Sequence, residues 1–337
     1  MQILQHVSLK PYNTFGMDVS AEYYVEVSDE QTLRDISENN TLPKEKHILG
    51  GGSNVLLTKP VSGVVLHNKL KSIEKIKEDD NHIWVTVASG EVWHDFVMYT
   101  IANNWAGIEN LALIPGTVGA APIQNIGAYG VEVKDMIDHV TAWHWESKQL
   151  FPYHNMECAF GYRDSIFKHQ LKDKVFITSV TFKLKKHPAF NTSYGAIEEE
   201  LKKEGITELS ISAVANAVIA IRSSKLPDPR VIGNAGSFFK NPVITKELYK
   251  TLKVSSPAMP SYPADDKHVK VPAGWLIEQC GWKGHKEGNA GVHEKQSLVL
   301  VNYGGANGAA IWQLSEKVLN SVKEKFQIDL EREVQVW

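Results

Sequence analysis

In His47-Ile48-Leu49-Gly50-Gly51-Gly52-Ser53-Asn54-Val55-Leu56-Leu57, one apolar run enters three consecutive glycines and a second apolar run leaves them. Both runs read as short strands. Three glycines let the backbone take φ > 0 and leave no Cβ in the way of a ligand. Successive free N–H groups in such a turn form an anion-binding nest, and Ser53 and Asn54 add donors. That chemistry suits a pyrophosphate; on this motif alone a plain tight turn carries about equal weight. A Rossmann fingerprint is excluded, because Val55 stands where the third glycine belongs and a strand follows instead of a helix.

A second glycine segment runs Ile114-Pro115-Gly116-Thr117-Val118-Gly119-Ala120-Ala121-Pro122-Ile123-Gln124-Asn125-Ile126-Gly127-Ala128-Tyr129-Gly130. It is apolar and nearly uncharged, whereas an ordinary surface loop would be polar. Small apolar residues with spare backbone donors suit a flat, partly apolar ligand such as a flavin and its diphosphate. A buried structural loop is the second reading.

Around these loops the pattern is α+β. Residues 23–27, 64–66, 83–88, 140–145 and 175–184 read as strands, and 92–103 as a helix. Residues 32–39 read as a short helix capped by Ser28 or Asp29. Beyond residue 190 the texture changes. Residues 196–203, 211–224, 273–280 and 308–326 read as helices, and 296–302 and 330–336 as strands.

With 337 residues, 43% of them hydrophobic, the chain can bury a large core and divide into two or three domains. A net charge of −3 without a basic block argues against nucleic-acid binding. The start, residues 1–8, lacks a signal peptide's charged head and long apolar run, so none is expected. No apolar stretch approaches the roughly 20 residues needed to span a bilayer, so a cytoplasmic location is expected. Cys158 and Cys280 form no CxxC and read as reduced, buried residues. The thirteen histidines, including His139, His144 and His154, show no metal-ligand spacing, and no metal site is expected.

Asn234-Ala235-Gly236-Ser237-Phe238-Phe239-Lys240-Asn241-Pro242 sets one hydroxyl between aromatics and a small pair, with Arg222, Lys225 and Lys240 nearby. A nucleophile elbow would need glycine at Phe239. Ser237 is therefore a candidate proton or hydrogen-bond donor. Arg163, in Phe160-Gly161-Tyr162-Arg163-Asp164-Ser165-Ile166-Phe167, sits among aromatics and needs an anionic partner. On spacing alone that partner is Asp164 or another structural carboxylate. Glu333, in Leu330-Glu331-Arg332-Glu333-Val334-Gln335-Val336-Trp337, shares one strand face with Glu331 and Gln335. On spacing alone it is a solvated terminal acid.

The serine segment resembles that of the bacterial UDP-N-acetylenolpyruvylglucosamine reductases, flavoenzymes that complete UDP-N-acetylmuramate for peptidoglycan. The resemblance covers nearly the whole chain. Asn13-Thr14-Phe15-Gly16, both glycine loops, the arginine segment, the serine loop and the terminal segment follow one order. It implies an α+β chain with a vanillyl-alcohol-oxidase (PCMH-type) two-subdomain FAD-binding fold plus a C-terminal α+β substrate-binding domain. The expected division is 1–69, with a terminal strand 328–337 returning to it, then 70–212, with a tyrosine loop near 190–196, then 213–327.

What the resemblance implies for function is NADPH-dependent reduction of UDP-N-acetylglucosamine enolpyruvate. It makes Ser237 the proton donor to the α-carbon, with Glu333 and Arg163 stabilising the enolate. It implies non-covalent FAD, in keeping with glycine loops that lack His and Cys. The FAD is placed against Gly50, Gly51, Gly52, Ser53, Asn54, Pro115, Gly116, Thr117, Gly119, Ile123 and Gly127. Substrate contacts fall to Tyr129, Arg222, Lys225, Asn241 and Gln296, with Arg222 and Lys225 on phosphate groups. Tyr194 becomes the mobile tyrosine of the longer, type I members. The chain departs from the pattern at Gln335, where many relatives carry arginine. A monomer is expected. The alternative is a flavin oxidase or dehydrogenase of the same superfamily with another small substrate. A nucleotide-sugar or flavin-binding module without turnover is the non-enzymatic reading.

Overall fold

The computed structural model describes residues 1–337, which divide into two compact units. The first holds residues 1–7, 21–51 and 62–224; the second holds 8–20, 52–61 and 225–337.

In the first unit a four-stranded sheet runs in the order Leu4–Ser8, Ser20–Val27, Val61–Asn68, Lys46–Leu49. The helix Glu30–Glu38 follows its second strand, and Asp29 caps it by accepting from the Thr32 amide at 2.7 Å. A five-stranded antiparallel sheet runs in the order Gln149–His154, Ile137–His144, Val175–Lys185, His82–Ala88, Ile73–Glu78. Ile83, Val85 and Val87 alternate into its core, as period-two spacing requires.

The helices Trp93–Ala102 and Ile211–Lys225 contribute to the same core. Phe96 lies 4.9 Å from Phe182 between ring centroids, and Trp93 packs against both. Truncating Phe182 to Ala would cost about 3–5 kcal/mol at such a fully buried site. Trp143 and Phe176 enter a second core shared with Val25, Leu33 and Val64.

The second unit is built on a four-stranded sheet ordered Gly233–Asn234, Leu300–Asn302, Ala290–Val292, Lys286–Glu287. The helix Gly308–Phe326 buries Ile311, Leu314, Val318 and Val322 at helical spacing. The short strand Gln335–Val336 pairs in parallel with Val55–Leu56. The strand expected over 330–336 is thus confined to its end. That over 296–302 shrinks to Leu300–Asn302, because Gln296 begins a turn in which its carbonyl accepts from the Val299 amide. No helix is long and apolar enough to cross a membrane.

Candidate active site

In the first unit the two glycine segments meet backbone to backbone. A Cβ on Gly51 would lie 3.2 Å from the Gly116 Cα. The amides of Gly51, Gly116 and Thr117 donate to no acceptor within the protein. Open amides on closely approaching strands are anion receptors. They fit the diphosphate of FAD. Gly119 is fixed by its amide, which donates to the Ser89 carbonyl at 2.8 Å, and Ile123 packs against the core. Pro115 is exposed at the head of the loop.

Four non-glycine residues in and beside the second loop hold positive φ: Leu113 at 58°, Asn125 at 43°, Tyr129 at 50° and Arg163 at 54°. Left-handed backbone costs of order 1–3 kcal/mol each and persists where the surroundings over-determine it, commonly at functional sites. Arg163 donates to the Gly127 carbonyl at 2.6 Å and to the Asn125 carbonyl at 3.3 Å. Asp164 turns instead to His169 at 2.7 Å, so the adjacent acid is not the partner of Arg163.

The Arg222 guanidinium reaches the same place. Burial pushes its pKa down, and the Arg163 charge adds to that, while the Tyr129 hydroxyl hydrogen-bonds it. Burial likewise raises the Tyr129 phenol. No carboxylate neutralises Arg222; besides Tyr129 it holds only the Leu113 carbonyl, at 3.3 Å. A desolvated cation without a carboxylate partner requires an anion. Tyr194 stands edge-on to Tyr129 with ring centroids 5.3 Å apart.

In the second unit Gly52 has φ 61°, and a Cβ there would fall 1.9 Å from the Tyr12 carbonyl oxygen. Thr14 ties this turn to the serine loop: its amide donates to the Gly52 carbonyl at 3.0 Å and its hydroxyl to the Asn234 carbonyl at 2.6 Å. Phe239 bridges Arg332, and the Glu333 amide donates to the Phe238 carbonyl at 2.9 Å. Asn54 Nδ2 donates to the Glu333 carbonyl at 3.3 Å. Ser53, Asn54, Ser237 and Glu333 thus lie on adjoining backbone segments. The Ser237 hydroxyl is half-buried and makes no hydrogen bond within the protein.

Asn241 Oδ1 accepts from the Ala273 amide at 2.9 Å, which leaves its Nδ2 available. Gln296 Oε1 accepts from the Leu298 amide at 3.4 Å, and the Phe238 amide donates to the Leu298 carbonyl at 2.7 Å. Lys225 ends its helix exposed and pairs with no acid. Lys240 is taken by Glu331 at 2.5 Å. Burial pushes the Cys158 thiol up to about 12 and raises that of Cys280, so neither is a thiolate nucleophile.

Sequence reading missed two residues. Asn110, 2% exposed, donates to the carbonyls of Tyr129 at 3.1 Å and Asn191 at 2.8 Å. It thereby ties the Tyr129 turn to the segment that leads into Tyr194. His94 Nδ1 accepts from the Leu113 amide at 3.0 Å, and burial lowers its pKa, with the Arg222 charge acting the same way. A single polar residue has no periodicity to betray it.

Residues 228–337 match the C-terminal domain family of UDP-N-acetylenolpyruvoylglucosamine reductase, and residues 21–148 match the FAD-binding domain family. A UDP-N-acetylenolpyruvoylglucosamine reductase from Flavobacterium johnsoniae is 51% identical over 100% of both chains. One from Bacteroides fragilis is 48% identical over 98% of both. The crystal structure of UDP-N-acetylenolpyruvylglucosamine reductase from Thermus caldophilus superposes with a TM-score of 0.71 at 26% identity, covering 100% of this chain and 99% of that one.

Proposed function

The chain belongs to the UDP-N-acetylenolpyruvoylglucosamine reductases, and on that premise we propose how its residues divide the reaction. It is an FAD-dependent oxidoreductase of peptidoglycan precursor synthesis. It reduces UDP-N-acetylglucosamine enolpyruvate to UDP-N-acetylmuramate at the expense of NADPH. When bound, FAD would supply the hydride chemistry, with NADPH as the reductant. The open amides of Gly51, Gly116 and Thr117 would hold its diphosphate.

The acceptor is an enol ether conjugated to a carboxylate. Hydride addition at the β-carbon drives negative charge into that carboxylate. Preorganised donors aimed at developing charge contribute several kcal/mol. Arg163 is the fixed cation there, since two backbone carbonyls already hold its guanidinium. Glu333 is assigned to the same stabilising role as a hydrogen-bonding group. Ser237 then delivers a proton to the α-carbon, which is basic enough to take it from an alcohol. Arg222 and Lys225 take phosphate charge, Tyr129, Asn241 and Gln296 contact the UDP-sugar, and Tyr194 covers it. The enzyme is read as a cytoplasmic monomer.

The observation that carries this reading is the Glu333 amide bonded to the Phe238 carbonyl. It sets the carboxyl-bearing residue beside an unpartnered serine hydroxyl and beside the Asn54 turn. The test is an anaerobic spectral titration. NADPH should bleach the flavin, and UDP-N-acetylglucosamine enolpyruvate should recolour it. Recolouring only on admission of air would overturn the reading in favour of an oxidase.

A further inference from the structure

Away from the flavin and substrate residues, Asp138, His139 and His154 converge at one edge of the five-stranded sheet. One ligand atom of each lies within 4.8 Å of the others. Two backbone features bring them together. His139 and His154 stand directly opposite one another on paired antiparallel strands, so their side chains share a face. In a regular strand Asp138 would point to the other face. It is instead the extra residue between the pairs Ile137–Phe182 and His139–Thr181. Such a bulge re-aims its side chain, and Asp138 Oδ2 lies 2.8 Å from His139 Nδ1.

The remaining polar atoms are held as metal ligands are held. Trp84 Nε1 donates to Asp138 Oδ1 at 3.0 Å. His139 Nε2 bonds the Thr181 hydroxyl at 3.2 Å, and Thr181 bonds the Thr86 hydroxyl at 2.8 Å. Partners of this kind fix tautomer and ring orientation. The Asp164–His169 pair at 2.7 Å, by contrast, has no third ligand beside it.

We propose that Asp138, His139 and His154 form a binding site for a divalent transition metal of the zinc type, with water completing the coordination. Two imidazoles and a carboxylate match that borderline-soft ion. Tetrahedral ligands with bonds of about 2.1 Å lie roughly 3.4 Å apart. His154 is exposed, so a side-chain rotation closes the remaining gap. The ion clips the edge strand Gln149–His154 to its neighbour. Spacing along the chain concealed this site, because cross-strand register and a bulge create it.

The test is equilibrium dialysis of the chelator-treated, full-length flavoprotein against zinc, with bound metal counted by atomic emission. Wild type should take up one zinc. His154→Ala and Asp138→Asn should lose that uptake, and Thr181→Val should weaken it by about 10- to 100-fold. His169→Ala should retain it. The flavin spectrum reports that each variant is folded, and His154 is too exposed for its loss to unfold the sheet. No uptake by wild type, or equal uptake by flavin-replete His154→Ala and Asp138→Asn, overturns the proposal. X-ray absorption of the bound zinc without imidazole scattering would do the same.

Discussion

Tyr129 hydrogen-bonds Arg222 through its hydroxyl, and no carboxylate stands within reach of that guanidinium. The protein therefore stores a desolvated cation beside a second one, Arg163. Arg222→Met should leave the melting temperature unchanged or higher, since it removes like-charge repulsion. It should raise KM for the UDP-sugar about 10- to 100-fold, the worth of a charge-assisted hydrogen bond of about 1.5–3 kcal/mol. Steady-state kinetics with a thermal melt decide it; an unchanged KM would detach Arg222 from the substrate.

Ser237→Ala separates the two half-reactions. Stopped-flow reduction by NADPH should proceed at the wild-type rate. Reoxidation of the reduced flavin by the enolpyruvyl sugar should slow by about 10²- to 10⁴-fold, the usual share of a positioned proton donor. Equal slowing of both halves would remove Ser237 from the proton-transfer step.

Two neighbouring glycines should fail differently. Gly51→Ala places a methyl 3.2 Å from the Gly116 Cα, a close approach that a small backbone shift relieves. It should lose FAD on gel filtration while its circular dichroism stays native. Gly52→Ala collides with the Tyr12 carbonyl at 1.9 Å from a left-handed φ of 61°. It should cost the fold itself several kcal/mol, read as a lower urea midpoint. The reverse ranking would contradict this packing.

His67 gives the protein an acid limit. It is 7% exposed, with Nδ1 2.6 Å from the Tyr24 hydroxyl. Burial, and then the Lys69 charge, push its imidazole down to about 4 from the ordinary 6.5. Between those values the unfolded chain binds the proton and the folded one does not, so stability falls as pH falls. The contribution is full above pH 6.5 and fades toward pH 4, amounting to about 3 kcal/mol. In urea melts the stability gap between pH 7 and pH 4.5 should narrow by about 2 kcal/mol in His67→Gln. An unchanged gap would assign the acid sensitivity to other groups.

Local pattern was enough for much of the architecture. Alternation at Ile83, Val85 and Val87 marks a buried strand, and Asp29 before Thr32 marks a helix start, because both signals are confined to a few residues. The same logic misjudged 330–336. Its alternation continues through Arg332, yet the Arg332 backbone makes only an isolated bridge to Phe239, so just Gln335–Val336 becomes strand.

The candidate site was legible through resemblance more than through spacing. Nothing local distinguishes Glu333 from a solvated terminal acid, since its significance comes from the Phe238 carbonyl that its amide finds across the fold. Asn110 and the Asp138–His154 convergence stayed hidden for the same reason. The first works through two carbonyls distant in sequence, and the second through a bulge.

The bond from Asn54 to the Glu333 carbonyl joins residues 279 apart, as does the bond from Thr58 to the Trp337 carbonyl. Closing so long a loop is slow compared with forming the local contacts of the first unit. On the ribosome, the Ser53–Asn54 turn emerges early and waits for partners that appear only after more than two hundred further residues have been made. The Ser53–Asn54 turn is therefore completed late in the life of the polypeptide, and a stalled nascent chain carries it half-finished and exposed to the cell's quality control.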